Sequence, residues 1–118
     1  TGPVLEAMCG TGRYLIPLCE DGYDVHGFDA SEFMLNALYT KCAAKNITPH
    51  VWQAFLQDLD VPERYNLIFI TDSSFSLILD PTIIMKCLQK IYDHLNPGGI
   101  FVFDVETVHA TPVTTGTW

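Results

Sequence analysis

Basic side chains are scarce in this sequence. Six Lys and Arg stand against fourteen Asp and Glu, a formal net charge of −8 over 118 residues. Such a chain repels a phosphate backbone or an anionic bilayer at long range, so no nucleic acid and no membrane partner is expected. No apolar run approaches the roughly 20 residues that span a bilayer. Thr1-Gly2-Pro3 has neither a basic start nor an apolar signal core, and a cytoplasmic location is expected. An initiator Met is missing, and an apolar run opens at Val4, so the chain reads as part of a longer protein. The four cysteines, Cys9, Cys19, Cys42 and Cys87, form no C-x-x-C pair and lie in apolar segments. Reduced, buried thiols are expected rather than disulfides. No His/Cys/acid cluster has ligand spacing, so no metal is expected.

Hydrophobic residues make up 48% of the chain, enough for a single domain over residues 1–118. The stretch Val4-Leu5-Glu6-Ala7-Met8-Cys9-Gly10-Thr11-Gly12-Arg13 organises the rest. An apolar run, a glycine turn and a helix-like segment follow one another, the pattern of a buried strand leading into a helix. Gly10 and Gly12 permit positive φ and close approach of a ligand to the backbone. The N–H groups of the next helical turn favour electron-rich groups.

Further strands are expected at 24–29, 50–54, 65–70 and 100–105, the first strand being 4–8. Helices are expected from Gly12 to Asp21, from Glu32 to Lys45 and from Pro81 to Leu95. Ser31 and Asp80-Pro81 are helix starts. Gly22 and Asn46 are helix stops, and Asn96-Pro97-Gly98-Gly99 stops the last helix ahead of strand five. Phe33, Met34, Ala37 and Leu38, extended by Tyr39 and Cys42, follow helical spacing as the apolar face of the second helix. Strands alternating with helices make an α/β fold with a parallel sheet in the order 3-2-1-4-5. The ligand crevice then opens at the switch point between strands one and four, over Gly10–Gly12 and Thr71–Ser74.

These residues carry a resemblance. Val-Leu-Glu-Ala-Met-Cys-Gly-Thr-Gly-Arg resembles the glycine motif of class I S-adenosylmethionine-dependent methyltransferases. Val25–Asp29 with Ala30-Ser31 resembles that family's second strand and its ribose-binding acid. Tyr65–Phe69 resembles the fourth-strand motif, and Leu95–Phe103 the Pro-Gly-Gly turn into strand five. The resemblance covers about residues 3–105. It implies a Rossmann-like three-layer sandwich, with the family's last two strands absent from this sequence. It also implies S-adenosylmethionine as cofactor and a small-molecule methyl acceptor. By the same resemblance, Asp29 takes the ribose hydroxyls with Ala30 beside it, and Glu6 lies near the methionine amino group. Met8, Cys9, Gly10 and Gly12 form the floor beneath the ligand, Thr71 lies across the crevice, and the adenine lies against Phe55 and the Leu56 N–H. Asp58 is the alternative adenine contact.

Met8 stands where the family has its first glycine and is expected to alter the shape of the turn. Asn66 stands where an Asp is common. Methyl transfer relies on proximity and line-up, so no fixed catalytic residue is required. Asp72 and the hydroxyls of Ser73 and Ser74 are the candidate bases, although Asp72 reads first as a loop or helix-cap carboxylate. His26 reads as a packing histidine, His50 and His94 as strand and helix surface, and His109 as a surface histidine of the tail, with approach to a substrate as the alternative. Strand five is expected to end the sheet, and three answers stay open for its edge: the tail covers it, another chain pairs there as in a homo-oligomer, or a C-terminal half is absent from this sequence. Two other readings stay open. A dinucleotide-binding oxidoreductase shares the glycine turn but wants a third glycine where Leu15 stands. A non-catalytic ligand-binding or assembly module would keep the fold alone.

Overall fold

Val4–Ala7 form β1, a strand with Leu5 and Ala7 wholly buried. The computed structural model describes residues 3–72 and 74–104. Helix α1 (Leu15–Glu20) follows, then β2 (Val25–Asp29), α2 (Glu32–Ala44) and β3 (His50–Gln53). The second half holds β4 (Tyr65–Ile70), α3 (Pro81–Asp93) and β5 (Leu95–Phe103), with short 3-10 turns at Leu56–Asp58 and Ser74–Leu77. The five strands are parallel in the order β3-β2-β1-β4-β5, as expected.

Helices cover both faces. On one, Leu15 and Ile16 of α1 and Leu35, Leu38 and Cys42 of α2 pack with Cys9 and Val25. On the other, Cys87 and Ile91 of α3 join Leu56 and Leu59 against Leu5, Phe28, Tyr65 and Ile68. The architecture is thus a three-layer, Rossmann-like α/β sandwich. Each fully buried large side chain contributes about 1.5–3 kcal/mol to it.

Helix ends follow local chemistry. The Ser31 hydroxyl accepts from the Met34 N–H (3.1 Å), and the Asp80 carboxylate accepts from the Thr82 N–H (2.8 Å) ahead of Pro81. Gly22 and Asn46 take left-handed φ of 88° and 56° past α1 and α2. Helix α1 starts three residues later than expected because Gly12 is itself left-handed (φ 81°). Pro17 is therefore the third helical residue, where a missing N–H breaks no intrahelical bond.

Four expectations change. The buried line of α2 is Leu35, Leu38 and Cys42, while Phe33 is 82% exposed. The difference is one of phase: Phe33 and Met34 begin the helix at its exposed end. Strand β5 begins at Leu95, not Ile100. Tyr65 pairs with Leu95 and Leu67 with Ile100, so Asn96–Gly99 is a bulge inside the ladder, not a loop before it. Gly98 makes that possible with φ 79°. His94 is buried, not on a helix surface. Its Nδ1 donates to the Lys90 carbonyl (2.6 Å) and its Nε2 accepts from the Val61 N–H (3.2 Å), fastening the end of α3 to the loop before β4. Cys9, Cys42 and Cys87 are buried free thiols, but Cys19 is half-buried. Ser73, His109 and the expected end of strand five at Val105 lie outside the described residues.

Candidate functional site

The C-terminal ends of β1, β2 and β4 open into a cavity of about 440 Å³. Its wall includes Met8, Cys9 and Gly10 from the turn after β1, Asp29 and Ser31 after β2, and Thr71 and Asp72 after β4. This is the switch point of the sheet, where strand order reverses and the loops on either side diverge.

Asp29 is the best-anchored group on this wall. Its Oδ2 accepts from the Gly10 N–H and its Oδ1 from the Ser31 N–H, both at 2.8 Å. One carboxylate thus ties the glycine turn to the start of α2, and its remaining lone pairs stay available to hydroxyl groups. Gly10 has φ 57°, and a Cβ there would meet no atom within 4 Å, so its open side is free for a ligand. Gly12 differs. A Cβ on it would lie 2.9 Å from Leu38 Cγ and 3.0 Å from Ile16, so it serves helix packing and is not on the cavity wall.

Glu6 lies beneath this floor and is 1% exposed. Thr71 Oγ1 donates to its Oε2 at 3.0 Å, while Oε1 has no hydrogen-bond partner. Burial pushes its pKa up to about 7. The Thr71 hydroxyl and the Leu15 amide oppose the shift, and the negative Asp72 and Asp29 add to it. Burial also pushes the Cys9 thiol up, helped by Glu6 and Asp29, which favours the neutral thiol over the thiolate.

Met8 has φ 56°, the backbone a glycine would adopt, so the left-handed turn survives the substitution. Its side chain joins the wall of the cavity and touches the core behind it. Asp72 also has a left-handed φ, of 57°. Its carboxylate accepts from the Tyr14 hydroxyl (3.3 Å) and lies 3.6 Å from Arg13, bridging the mouth between the β1 and β4 sides.

A second recess of about 370 Å³ begins one residue beyond Asp29, lined by Ala30, Gln53, Ala54, Phe55 and Asp58. Phe55 is 61% exposed there. The 3-10 turn brings Phe55 and Asp58 to the same recess, so the two adenine candidates share one place. Leu56 turns inward and its side chain is in the core. The sequence reasoning missed Tyr14, Met34 and Leu77, which line the mouth of the main cavity. Tyr14 and Leu77 belong to no periodic segment, and the helical spacing of Met34 reads as core packing although the residue is 41% exposed.

A family model described as a methyltransferase domain matches residues 4–99. The chain belongs to this methyltransferase-domain family. Among solved structures, an S-adenosylmethionine-dependent methyltransferase from Clostridium acetobutylicum superposes with a TM-score of 0.82 at 26% identity, covering 89% of this chain and 43% of that one. The glycopeptide N-methyltransferase MtfA in complex with S-adenosylmethionine superposes with a TM-score of 0.76 at 26% identity, covering 87% and 46%. The glycine/sarcosine N-methyltransferase of Halorhodospira halochloris is 28% identical over 106 residues, 86% of this chain and 38% of that protein. The chain spans about two-fifths of the length of the curated relatives it matches.

The methyltransferase cofactor is a zwitterionic amino acid joined through a sulfonium to a nucleoside. The residues present fit it. An orphaned, buried carboxylate oxygen at Glu6 matches an ammonium, the open side of Gly10 a closely approaching chain, and Asp29 a pair of hydroxyls.

Proposed function

We propose that this domain binds S-adenosylmethionine across the ends of β1, β2 and β4 and serves methyl transfer to a small-molecule acceptor. The observation that carries the reading is the sequence of complementary groups along the crevice. Thr71, with the buried Glu6 carboxyl behind it, lines the crevice together with Asp29, and the Phe55 recess begins one residue beyond Asp29.

When bound, the cofactor supplies an electrophilic methyl group on a sulfonium. The chain's own residues bind and orient it. The carboxylate of Asp29 holds the ribose, and Phe55 offers an exposed aromatic face to the base, with Ala30 and Asp58 beside it. The backbone of Met8, Cys9 and Gly10 forms the floor, and Thr71 holds Glu6 in place. Leu56 contributes by its backbone N–H. Gly12 acts behind the floor by letting α2 pack closely. Asp72 is held by Arg13 and Tyr14, and we assign it to shaping the mouth, not to taking a proton. An acceptor entering there meets Tyr14, Met34 and Leu77, an apolar rim that suits a small organic molecule. The relatives' names, which include glycine/sarcosine and glycopeptide N-methyltransferases, support an acceptor of this size class.

The dinucleotide reading is not favoured. Leu15, at the position of the third glycine, is wholly buried and its Cδ1 occupies the space beside Gly27. Calorimetric titration with S-adenosylhomocysteine, with NAD as control, tests the proposal. Micromolar binding of the first alone supports it. Binding of NAD alone, or of neither by a folded full-length protein, overturns it.

A further inference from the structure

We infer that the domain releases a proton as it takes up its ligand, and that Glu6 gives up this proton when a ligand ammonium settles on the cavity wall beside Thr71, whose hydroxyl holds the buried carboxyl. The inference rests on the cofactor reading above and adds a linkage to it.

The geometry comes first. Glu6 is 1% exposed, Oε2 is held by Thr71, and Oε1 has no partner. A buried ionised carboxylate with one oxygen unsatisfied is costly unless a cation faces it. The groups acting on it come from each neighbouring element. Asp72 after β4 and Asp29 after β2 are negative, and the Cys9 thiol stays protonated. The Thr71 hydroxyl and the Leu15 amide of α1 favour the carboxylate. No cation among the described residues acts on it, and Arg13 lies against Asp72 instead. Burial wins in the free protein, and the carboxyl is about half protonated at neutral pH.

A ligand ammonium supplies the missing cation. The exchange balances simply: the carboxylic acid loses its proton to solvent, the carboxylate stays ionised in the field of the nearby ammonium, and no bond in the ligand changes. Because the ligand prefers the ionised form, affinity rises with pH by up to about tenfold per unit below about pH 7 and levels off above it.

The test is calorimetry of the full-length protein with S-adenosylhomocysteine in two buffers of different ionisation enthalpy. The expected result is release of more than about half a proton per ligand near pH 6.5, falling toward zero above about pH 8. Glu6→Gln should bind with no proton release and with affinity independent of pH in this range. If that variant does not fold, the wild-type pH series decides by itself. Binding without proton release, or with proton uptake, overturns the inference while leaving the cofactor reading intact. No binding at any pH overturns both.

Discussion

Two buried ionisable groups pull the pH dependence of this domain in opposite directions. The folded pKa of Glu6 stands above its ordinary value, about 7 against 4.5. Between those values the unfolded chain ionises first, so the Glu6 contribution to stability falls as pH rises. Glu6→Gln should therefore stabilise the ligand-free protein at pH 8 by up to about 3 kcal/mol, read by denaturant unfolding, although it weakens ligand binding. His26 behaves in reverse. Its Nδ1 accepts from the Tyr65 hydroxyl (2.9 Å), its Nε2 donates to Asp24 (3.1 Å), and its ring stacks on His50 at 3.7 Å. Burial, with His50 beside it, lowers its pKa despite Asp24. The unfolded chain then binds this proton first, so the His26 contribution falls as pH drops below about 6.5. In His26→Gln that acid-side loss should be reduced in a series of melting temperatures between about pH 7 and 5. Asp29→Ala should weaken S-adenosylhomocysteine binding by at least about 1 kcal/mol, the scale of lost charged hydrogen bonds. An unchanged calorimetric affinity in a folded variant would remove Asp29 from the site. Glu6 and Asp29 were legible as acids at strand ends. The orphaned oxygen and the shared grip of Asp29 on Gly10 and Ser31 were not, because they depend on how β1, β2 and β4 meet.

Elements were read well where one residue dictates a backbone state. Ser31, Asp80-Pro81, Gly22 and Asn46 bound their helices as expected. Asp80→Ala should cost about 1 kcal/mol by unfolding, since the Thr82 N–H loses its acceptor. Reading failed where packing against a distant segment decides. The Asn96–Gly99 bulge needs β4 as a partner, and the burial of His94 needs Val61. Among the described residues strand β5 is the edge of the sheet, and its two faces differ. Phe101 and Phe103 stack with each other and meet Phe75 edge-on, whereas Ile100 and Val102 are 59% and 53% exposed. Helices α1 and α2 pack against the β2–β3 side, leaving Ile100 and Val102 uncovered among the described residues. An apolar edge strand invites pairing with another chain. The isolated 118-residue span should self-associate, and Ile100→Lys with Val102→Lys should shift it toward monomer in sedimentation analysis.

At the scale of the molecule, the order of the sheet was legible from alternation of element types together with right-handed crossovers. That order has a consequence for assembly in time. Strand β1 is synthesised before the other four strands yet ends in the middle of the sheet, with Val4 beside both Val25 and Leu67. The first contact is early and local, whereas the second must await a much longer stretch of chain. As the polypeptide emerges, the glycine turn and Asp29 can come together while Thr71 and Asp72 have yet to be made. Glu6 meets the hydroxyl that fixes it only when β4 docks. The ligand crevice is therefore completed late in folding, and a ligand that needs both of its walls favours the final docking of the two halves.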